Sequence, residues 1–343
     1  MRKLAPKEFL VEAKRTPIID VRSPGEFEEG HIPNAINIPL FTNEERAVIG
    51  TLYKQTGKDA AVLKGLEIVG PKMADFARQA GDIAVDNQLL VHCWRGGMRS
   101  ESMAWLFEKT GLQCGLLIGG YKAYRNFLFE EMTSIQNLIV IEGHTGSGKT
   151  EILAALAAMG EQIIDLEGLA CHRGSAFGGI GQAPQPTTQQ FQNNLYQAFS
   201  ALQSELPIWV EGESKTIGKV YLPDPFWHAM NQSRVIEIEV PLKARISRLV
   251  DDYAGLNADA MEQSISRLER RLGHKRMSEI LECYKKQDYH KVAELLLEYY
   301  DKSYQHSTEK HRDQYEVLVL SDGNAVTNAT RLIQQNVINT KSL

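Results

Sequence analysis

No apolar run in this sequence reaches the roughly 20 residues a membrane-spanning helix needs. The opening stretch, Arg2-Lys3-Leu4-Ala5-Pro6-Lys7-Glu8, has no apolar segment of the export type either. A cytoplasmic protein without membrane attachment is the expectation. Cysteine is scarce: Cys93, Cys114, Cys171 and Cys283 are scattered, with no C-x-x-C pair. That argues against a disulfide framework and a thiolate zinc site, and for a reducing compartment. Excess positive charge is also missing. At a net charge of -5 the chain as a whole does not attract nucleic acid, so an RNA partner would need a local basic patch. What remains is an ordinary globular composition over 343 residues, enough for two cores.

The stretch with the most chemistry is Val91-His92-Cys93-Trp94-Arg95-Gly96-Gly97-Met98-Arg99-Ser100. Leu89, Leu90 and Val91 read as a short buried strand and residues 100–109 as a helix, so Cys93 falls at a strand-to-helix turn. Converging amides, the positive end of the helix, Arg95 and Arg99 would favour thiolate over thiol, which makes a nucleophile. The bland alternative is a small buried hydrophobe.

Before this loop, Pro17-Ile18-Ile19-Asp20-Val21-Arg22 reads as a strand after a short polar helix. Residues 23–33 read as turn, helical turn and turn, ahead of Ala35-Ile36-Asn37-Ile38-Pro39. Strands alternating with helices predict a parallel sheet. Asp20, Arg22, Glu26 and His31 read as an ion-pair and hydrogen-bond frame under that sheet. Residues 44–80 read as polar helix, and Leu116-Leu117-Ile118-Gly119-Gly120-Tyr121 as strand, turn and helix start. Asp20-Val21-Arg22, Glu26, Gly30-His31-Ile32-Pro33-Asn34-Ala35, the Cys93 loop and Gly119-Gly120-Tyr121-Lys122-Ala123-Tyr124 together resemble a single rhodanese domain. The resemblance implies parallel strands wrapped by helices and a cysteine that carries a chalcogen. Many single-domain rhodaneses have four residues between the cysteine and the later arginine; here Trp94 to Met98 make five. The loop therefore also resembles the H-C-x5-R-[ST] signature of cysteine-dependent phosphatases. Both loops bind a tetrahedral oxyanion and attack from sulfur.

A polar break over residues 130–136 divides the chain into expected domains of 1–130 and 137–343. Leu138-Ile139-Val140-Ile141 reads as a strand feeding Gly143-His144-Thr145-Gly146-Ser147-Gly148-Lys149-Thr150, and residues 151–159 as a helix with Ile152, Leu153 and Leu156 inward. This is the P-loop pattern in its required strand-loop-helix context. Gly143, Gly146, Ser147 and Gly148 turn amides toward phosphate oxygens, Lys149 adds a point charge, and the Thr150 hydroxyl can ligate Mg²⁺. Acids follow at two strand ends, Asp165 and the Glu211-Gly212-Glu213 run. Glu211, directly after an apolar run, is the expected metal-orienting acid, with Glu213 or Asp165 positioning substrate. The glycine-rich stretch 171–181 reads as a functional loop, His172 and Arg173 closing over a diphosphate. Arg267, Arg270, Arg271, Lys275 and Arg276 are the densest basic cluster. The first three would share one helix face, as a solvated surface, an anion lid or a seat for RNA phosphates. Val292, Leu295, Leu296 and Tyr299 read as core, residues 315–320 as a last strand and the tail from Asn324 as a closing helix.

The order of Cys93-Trp94-Arg95-Gly96-Gly97-Met98-Arg99-Ser100, the P-loop, His172-Arg173-Gly174-Ser175 and Val210-Glu211-Gly212-Glu213-Ser214 resembles the bacterial tRNA 2-selenouridine synthase family over nearly the whole chain. The expected fold class is then α/β, a rhodanese-like domain followed by a P-loop NTPase-like domain with a helical C-terminal part. The resemblance implies a transferase acting on wobble 2-thiouridine of the tRNAs for Lys, Glu and Gln. Geranyl diphosphate supplies a geranyl group to the sulfur, and selenium from selenophosphate, carried on Cys93 with Arg95 and Arg99 around it, replaces the geranylthio group. Mg²⁺, a selenophosphate-supplying enzyme and a monomeric state belong to that expectation. The residues alone also admit an ATP-dependent kinase with a sulfurtransferase appendage, a cysteine phosphatase and a non-enzymatic phosphate-binding scaffold.

Overall fold

The computed structural model describes residues 1–175, 177–254, 258–305 and 315–340. The chain divides into two compact units, Met1–Met132 and Thr133–Leu343. No helix among the described residues is long and apolar enough to cross a membrane.

The first unit runs β1 (Arg2–Leu4), α1 (Pro6–Glu12), β2 (Ile18–Asp20), α2 (Pro24–Glu29), β3 (Ile36–Asn37), α3 (Asn43–Gln55), α4 (Lys58–Val69), α5 (Met73–Ile83), β4 (Gln88–His92), α6 (Met98–Lys109), β5 (Gln113–Leu117) and α7 (Gly120–Met132). Its sheet is parallel throughout, in the order β1-β5-β4-β2-β3. β4 reads as an unbroken apolar run because it lies inside the sheet and is buried on both faces. Helix starts follow local chemistry. Ser23 with Glu26, and Thr42 with Glu45, close capping boxes ahead of α2 and α3. The opening differs from the expected lone helix: Arg2, Lys3 and Leu4 form an edge strand whose partners are Gly115, Leu116 and Leu117. A three-residue strand with two exposed cations carries no periodic signal.

The second unit runs β6 (Leu138–Glu142), α8 (Lys149–Ala158), β7 (Gln162–Ile164), α9 (Leu166–Ala170), α10 (Thr188–Ser200), β8 (Ile208–Glu211), β9 (Thr216–Ile217), β10 (Val220–Tyr221), α11 (Asp224–Gln232), β11 (Arg234–Glu239), α12 (Leu242–Ala254), α13 (Ala258–Arg267), α14 (Glu269–Leu272), α15 (His274–Lys285), α16 (Tyr289–Gln305), β12 (Tyr315–Val319) and α17 (Ala325–Thr340). β9 and β10 make a small antiparallel ribbon, and the main sheet is parallel, β12-β11-β6-β8-β7. Ile139, Ile141, Trp209, Ile236 and Ile238 pack with Ile152, Leu153 and Leu156 of α8 and Ala329 and Leu332 of α17. Successive residues alternate faces, so Val140 and Glu142 point to the opposite side of the sheet. The C-terminal helices have a core of their own, including Ile265, Ile280, Val292, Leu295 and Leu296. Tyr299, read as core, is only half-buried.

Candidate functional sites

In the first unit the turn between β4 and α6 is held from below. Tyr121 N donates to Cys93 O at 2.9 Å and Lys122 N to Trp94 O at 3.0 Å, so the first turn of α7 spends its unpaired amides on the cysteine loop. Gly120 is required there: its φ is +61°, and a Cβ would overlap Cys93 O. Cys93 itself is 3% exposed and packs with the core that includes Val91 and Met103, so the sulfur lies on the floor of the loop. The Ser100 hydroxyl is 3.3 Å from Cys93 Sγ and 3.0 Å from Gly97 O, and its single proton can go to either.

Beneath the loop is a fully buried charge. Arg22 Nε and Nη2 bind the Asp20 carboxylate, Nη2 also donates to Gly30 O at 2.7 Å, and the guanidinium lies 3.9 Å from the Tyr121 ring centroid. Burial pushes the Asp20 carboxyl up, but His92 and Arg22 more than offset it and hold it below the usual range. Burial holds the His92 imidazole below its ordinary value, against the pull of Asp20. Asp20 and Arg22 thus form the frame read from the sequence. Glu26 does not belong to it. It binds Arg99 at 2.6 and 3.2 Å, with Arg46 at 3.7 Å. Against burial, the Arg99 hydrogen bond and charge keep the Glu26 carboxyl low. Arg99 therefore comes to the loop already paired, whereas Arg95 is exposed. His31 stacks on Phe27, with its Nδ1 3.0 Å from Phe27 O.

In the second unit the P-loop opens into a cavity of about 1010 Å³. Lys149 Nζ donates to Gly143 O at 3.0 Å and the Thr150 hydroxyl to Glu167 Oε2 at 2.7 Å. Two arginines of α12 brace the loop, a feature its local sequence does not signal. Arg245 donates to Thr145 O and Arg248 to Gly146 O, at 2.9 and 2.7 Å. Gly148, at φ +83°, leaves room for Arg248, whose guanidinium would lie 2.6 Å from a Cβ there. Asp301 of α16 holds both Arg245 (2.6 Å) and His144 (3.1 Å). Burial opposes its charge, but these partners bring its pKa down to about 2.

The acids are arranged differently from the expectation. Glu211 is fully buried, and its Oε1 accepts from Glu167 N at 2.7 Å; it supports α9 from below and does not line the cavity. Burial, then Asp165, pushes its carboxyl well above the ordinary range. Five other acids line the cavity: Glu167 and Glu213 beside the Thr150 hydroxyl, and Glu142, Glu151 and Asp252. Burial raises both Glu167 and Glu213, the latter to about 7, and the two share a hydrogen bond. Asp165 caps α9 through Gly168 N. Glu167 went unread because it follows a short strand inside a five-residue helix.

Arg173 lines the cavity and pairs with Asp252 of α12 at 3.2 Å. His172 does not reach the cavity: its ring sits between Gly178 and Gly218, which have no side chain to exclude it. The basic cluster does not share one helix either. Turns at Leu268 and Gly273 divide it among α13, α14 and α15. Arg276 binds Glu298 and Leu295 O, Lys275 is exposed, and the side chains of Arg267, Arg270 and Arg271 lie outside the described residues. The rest of the lining includes apolar Ala154, Phe177, Ile180 and Leu249, and the polar or aromatic Ser214, Trp227, Asn231, Tyr300 and Tyr315.

Comparison with known proteins agrees with this architecture. The Rhodanese-like domain family matches residues 6–127, and the family described as the tRNA 2-selenouridine synthase AAA domain matches 136–336. Proteins named tRNA 2-selenouridine synthase are similar over long stretches. One from Nitrosomonas europaea is 41% identical over 69% of this chain and 63% of its own length, and one from Bdellovibrio bacteriovorus 42% over 69% and 64%. The chain thus spans just under two thirds of these two relatives. One from a Sulfurovum species is 35% identical over 90% of this chain and 92% of its own length. A rhodanese-like unit is followed by a P-loop unit in one polypeptide, and the chain belongs to the tRNA 2-selenouridine synthase family.

Proposed function

We propose that this protein is a tRNA-modifying transferase that converts wobble 2-thiouridine to 2-selenouridine in the tRNAs for Lys, Glu and Gln, in two steps divided between its two units. The observation that carries the reading is the P-loop cavity, where phosphate-binding groups border an apolar wall of Ala154, Phe177, Ile180 and Leu249. That pairing suits a diphosphate with a hydrocarbon tail such as geranyl diphosphate. Transfer to the thiocarbonyl sulfur forms a carbon–sulfur bond as the carbon–oxygen bond breaks, and the electron pair leaves on diphosphate. Lys149 and the loop amides stabilise that anion.

The Thr150 hydroxyl beside Glu167, with Glu213 next to it, is an all-oxygen set of the kind Mg²⁺ takes, one or two carboxylates plus substrate phosphates. Among the described residues no cluster of three His, Cys, Asp or Glu forms a protein-only cage. Mg²⁺ bound there would add positive charge to the diphosphate.

Alkylation turns the sulfur into a leaving group. Selenophosphate, held at the Cys93 loop with Arg95, then attacks the base carbon through selenium; the carbon–sulfur bond breaks, geranylthiol leaves with a proton, and water takes the phosphoryl group from selenium as phosphate. Arg99 supports that loop through Glu26, and the protein works as a cytoplasmic monomer. The test is the nucleoside mass after incubation of a 2-thiouridine anticodon stem-loop with geranyl diphosphate, Mg²⁺ and selenophosphate. Wild type should give 2-selenouridine and Cys93→Ser should stop at the S-geranyl nucleoside. If wild-type protein leaves the RNA unchanged and consumes a nucleoside triphosphate instead, the reading is wrong.

A further inference from the structure

The cavity has one wall that a prenyl diphosphate does not account for. At about 1010 Å³ it stands at the top of the range for single small-ligand sites, roughly 300–1,000 Å³. α11 packs against β6, with Phe226 and Met230 buried. Trp227 and Asn231 follow each of these by one residue and are themselves one helical turn apart, so they share a neighbouring face. Both are half-buried and both line the cavity. Asn231 Nδ2 donates to the main-chain carbonyl of Trp227 at 2.8 Å, which ties the amide to the helix backbone one turn earlier. Glu142, at the end of β6, and Ser214, just past β8, line the same cavity.

We propose that the Trp227–Asn231 wall receives the acceptor nucleobase, a pyrimidine taken out of its stack, resting on the indole and hydrogen-bonded along its edge by the amide and the Glu142 carboxylate. The inference rests on the prenyl-transfer reading above and assigns its acceptor site. Displacement of a diphosphate from carbon requires the sulfur to approach from the side away from the departing oxygen, so donor and acceptor must occupy one cavity together. As the carbon–sulfur bond forms and the carbon–oxygen bond breaks, the electron pair leaves on diphosphate and the ring N–H proton passes to solvent. An aromatic plane beside an amide is the chemistry that recognises an unstacked base. The hydrocarbon chain is better matched by the apolar residues Phe177, Ile180 and Leu249, which leaves Trp227 and Asn231 to the base.

The test uses the full chain and a labelled anticodon stem-loop with 2-thiouridine at the wobble position, titrated by fluorescence anisotropy, with geranyl diphosphate and Mg²⁺ titrated separately by calorimetry. Trp227→Ala and Asn231→Leu should each weaken stem-loop binding by about fivefold or more, the scale of one lost base stack. Trp227→Phe should restore most of it and guards against misfolding as the cause. A stem-loop abasic at that position should bind all variants alike, and geranyl diphosphate should bind all of them within about twofold of wild type. Unchanged stem-loop affinity in both Trp227→Ala and Asn231→Leu overturns the proposal. So does a loss that falls on geranyl diphosphate instead, which would give this wall to the hydrocarbon. Trp227-dependent binding without any geranyl transfer would sink the prenyl-transfer reading and leave the base site standing.

Discussion

Arg99 grips Glu26 with both terminal nitrogens, Nη1 to Oε2 at 2.6 Å and Nη2 to Oε1 at 3.2 Å, across 73 residues of sequence. The arginine that ends the cysteine loop is thereby oriented by a helix outside it. Glu26→Ala should lower selenium transfer by roughly tenfold to a hundredfold, because a loosened loop misplaces the reacting sulfur. Geranyl transfer should be untouched. Stability should fall by only about 1 kcal/mol, since the pair is partly exposed. Single-turnover assays of each step, with a urea titration, check all three.

Lys149→Ala should depress geranyl transfer by roughly 10²–10³-fold, the scale of losing one group that stabilises a developing anion. Selenation of an RNA supplied already geranylated should proceed as in wild type. Nucleoside mass spectra on both substrates decide it.

The pH dependence of the P-loop brace follows from Asp301. Its pKa is lowered from the ordinary 3.8 to about 2 in the folded protein, so the stability it confers is fully present above about pH 4 and lost as pH falls toward 2. Asp301→Asn should therefore unfold at lower urea than wild type at pH 7, and the gap should close between pH 4 and pH 2. A gap that stays constant through that window would assign the effect to packing rather than charge.

Removing the buried cation beneath the cysteine loop should be severe. Arg22→Met takes from the buried Asp20 its guanidinium partner, leaving His92 at 3.6 Å, and should cost about 3–5 kcal/mol. The double variant with Asp20→Asn should recover part of that loss. Equilibrium unfolding of Arg22→Met, Asp20→Asn and the double variant beside wild type gives the coupling directly.

Most of the scaffold was legible because both sheets are parallel and their central strands are buried on two faces, so Leu89-Leu90-Val91 and Leu138-Ile139-Val140-Ile141 appear as plain apolar runs. The cysteine turn and the P-loop follow from residue types at fixed spacing. The unread parts share one property: they depend on contacts distant in sequence. Nothing near Glu26 shows that its partner is Arg99, and nothing near Gly146 shows that Arg248 holds its carbonyl. Glu211 reads as the metal-orienting acid because it ends an apolar strand, yet that burial takes it under α9, and Glu167 and Glu213 line the cavity instead. The basic stretch from Arg267 misled for a local reason, since Leu268 and Gly273 interrupt a helix that charge periodicity alone would continue.

The α12 brace also sets an order of events at the ribosome. Thr145 and Gly146 are synthesised 100 and 102 residues ahead of the arginines that hold their carbonyls, and Asp301 emerges later still. A nascent chain that ends before Arg245 carries the complete phosphate-binding motif without the arginines that hold the Thr145 and Gly146 carbonyls. The cysteine unit has all its strands and the helix that holds its turn once α7 has emerged, so it can fold while the rest is still being made. Chains released early would keep a formed thiol loop and lack a working phosphate site.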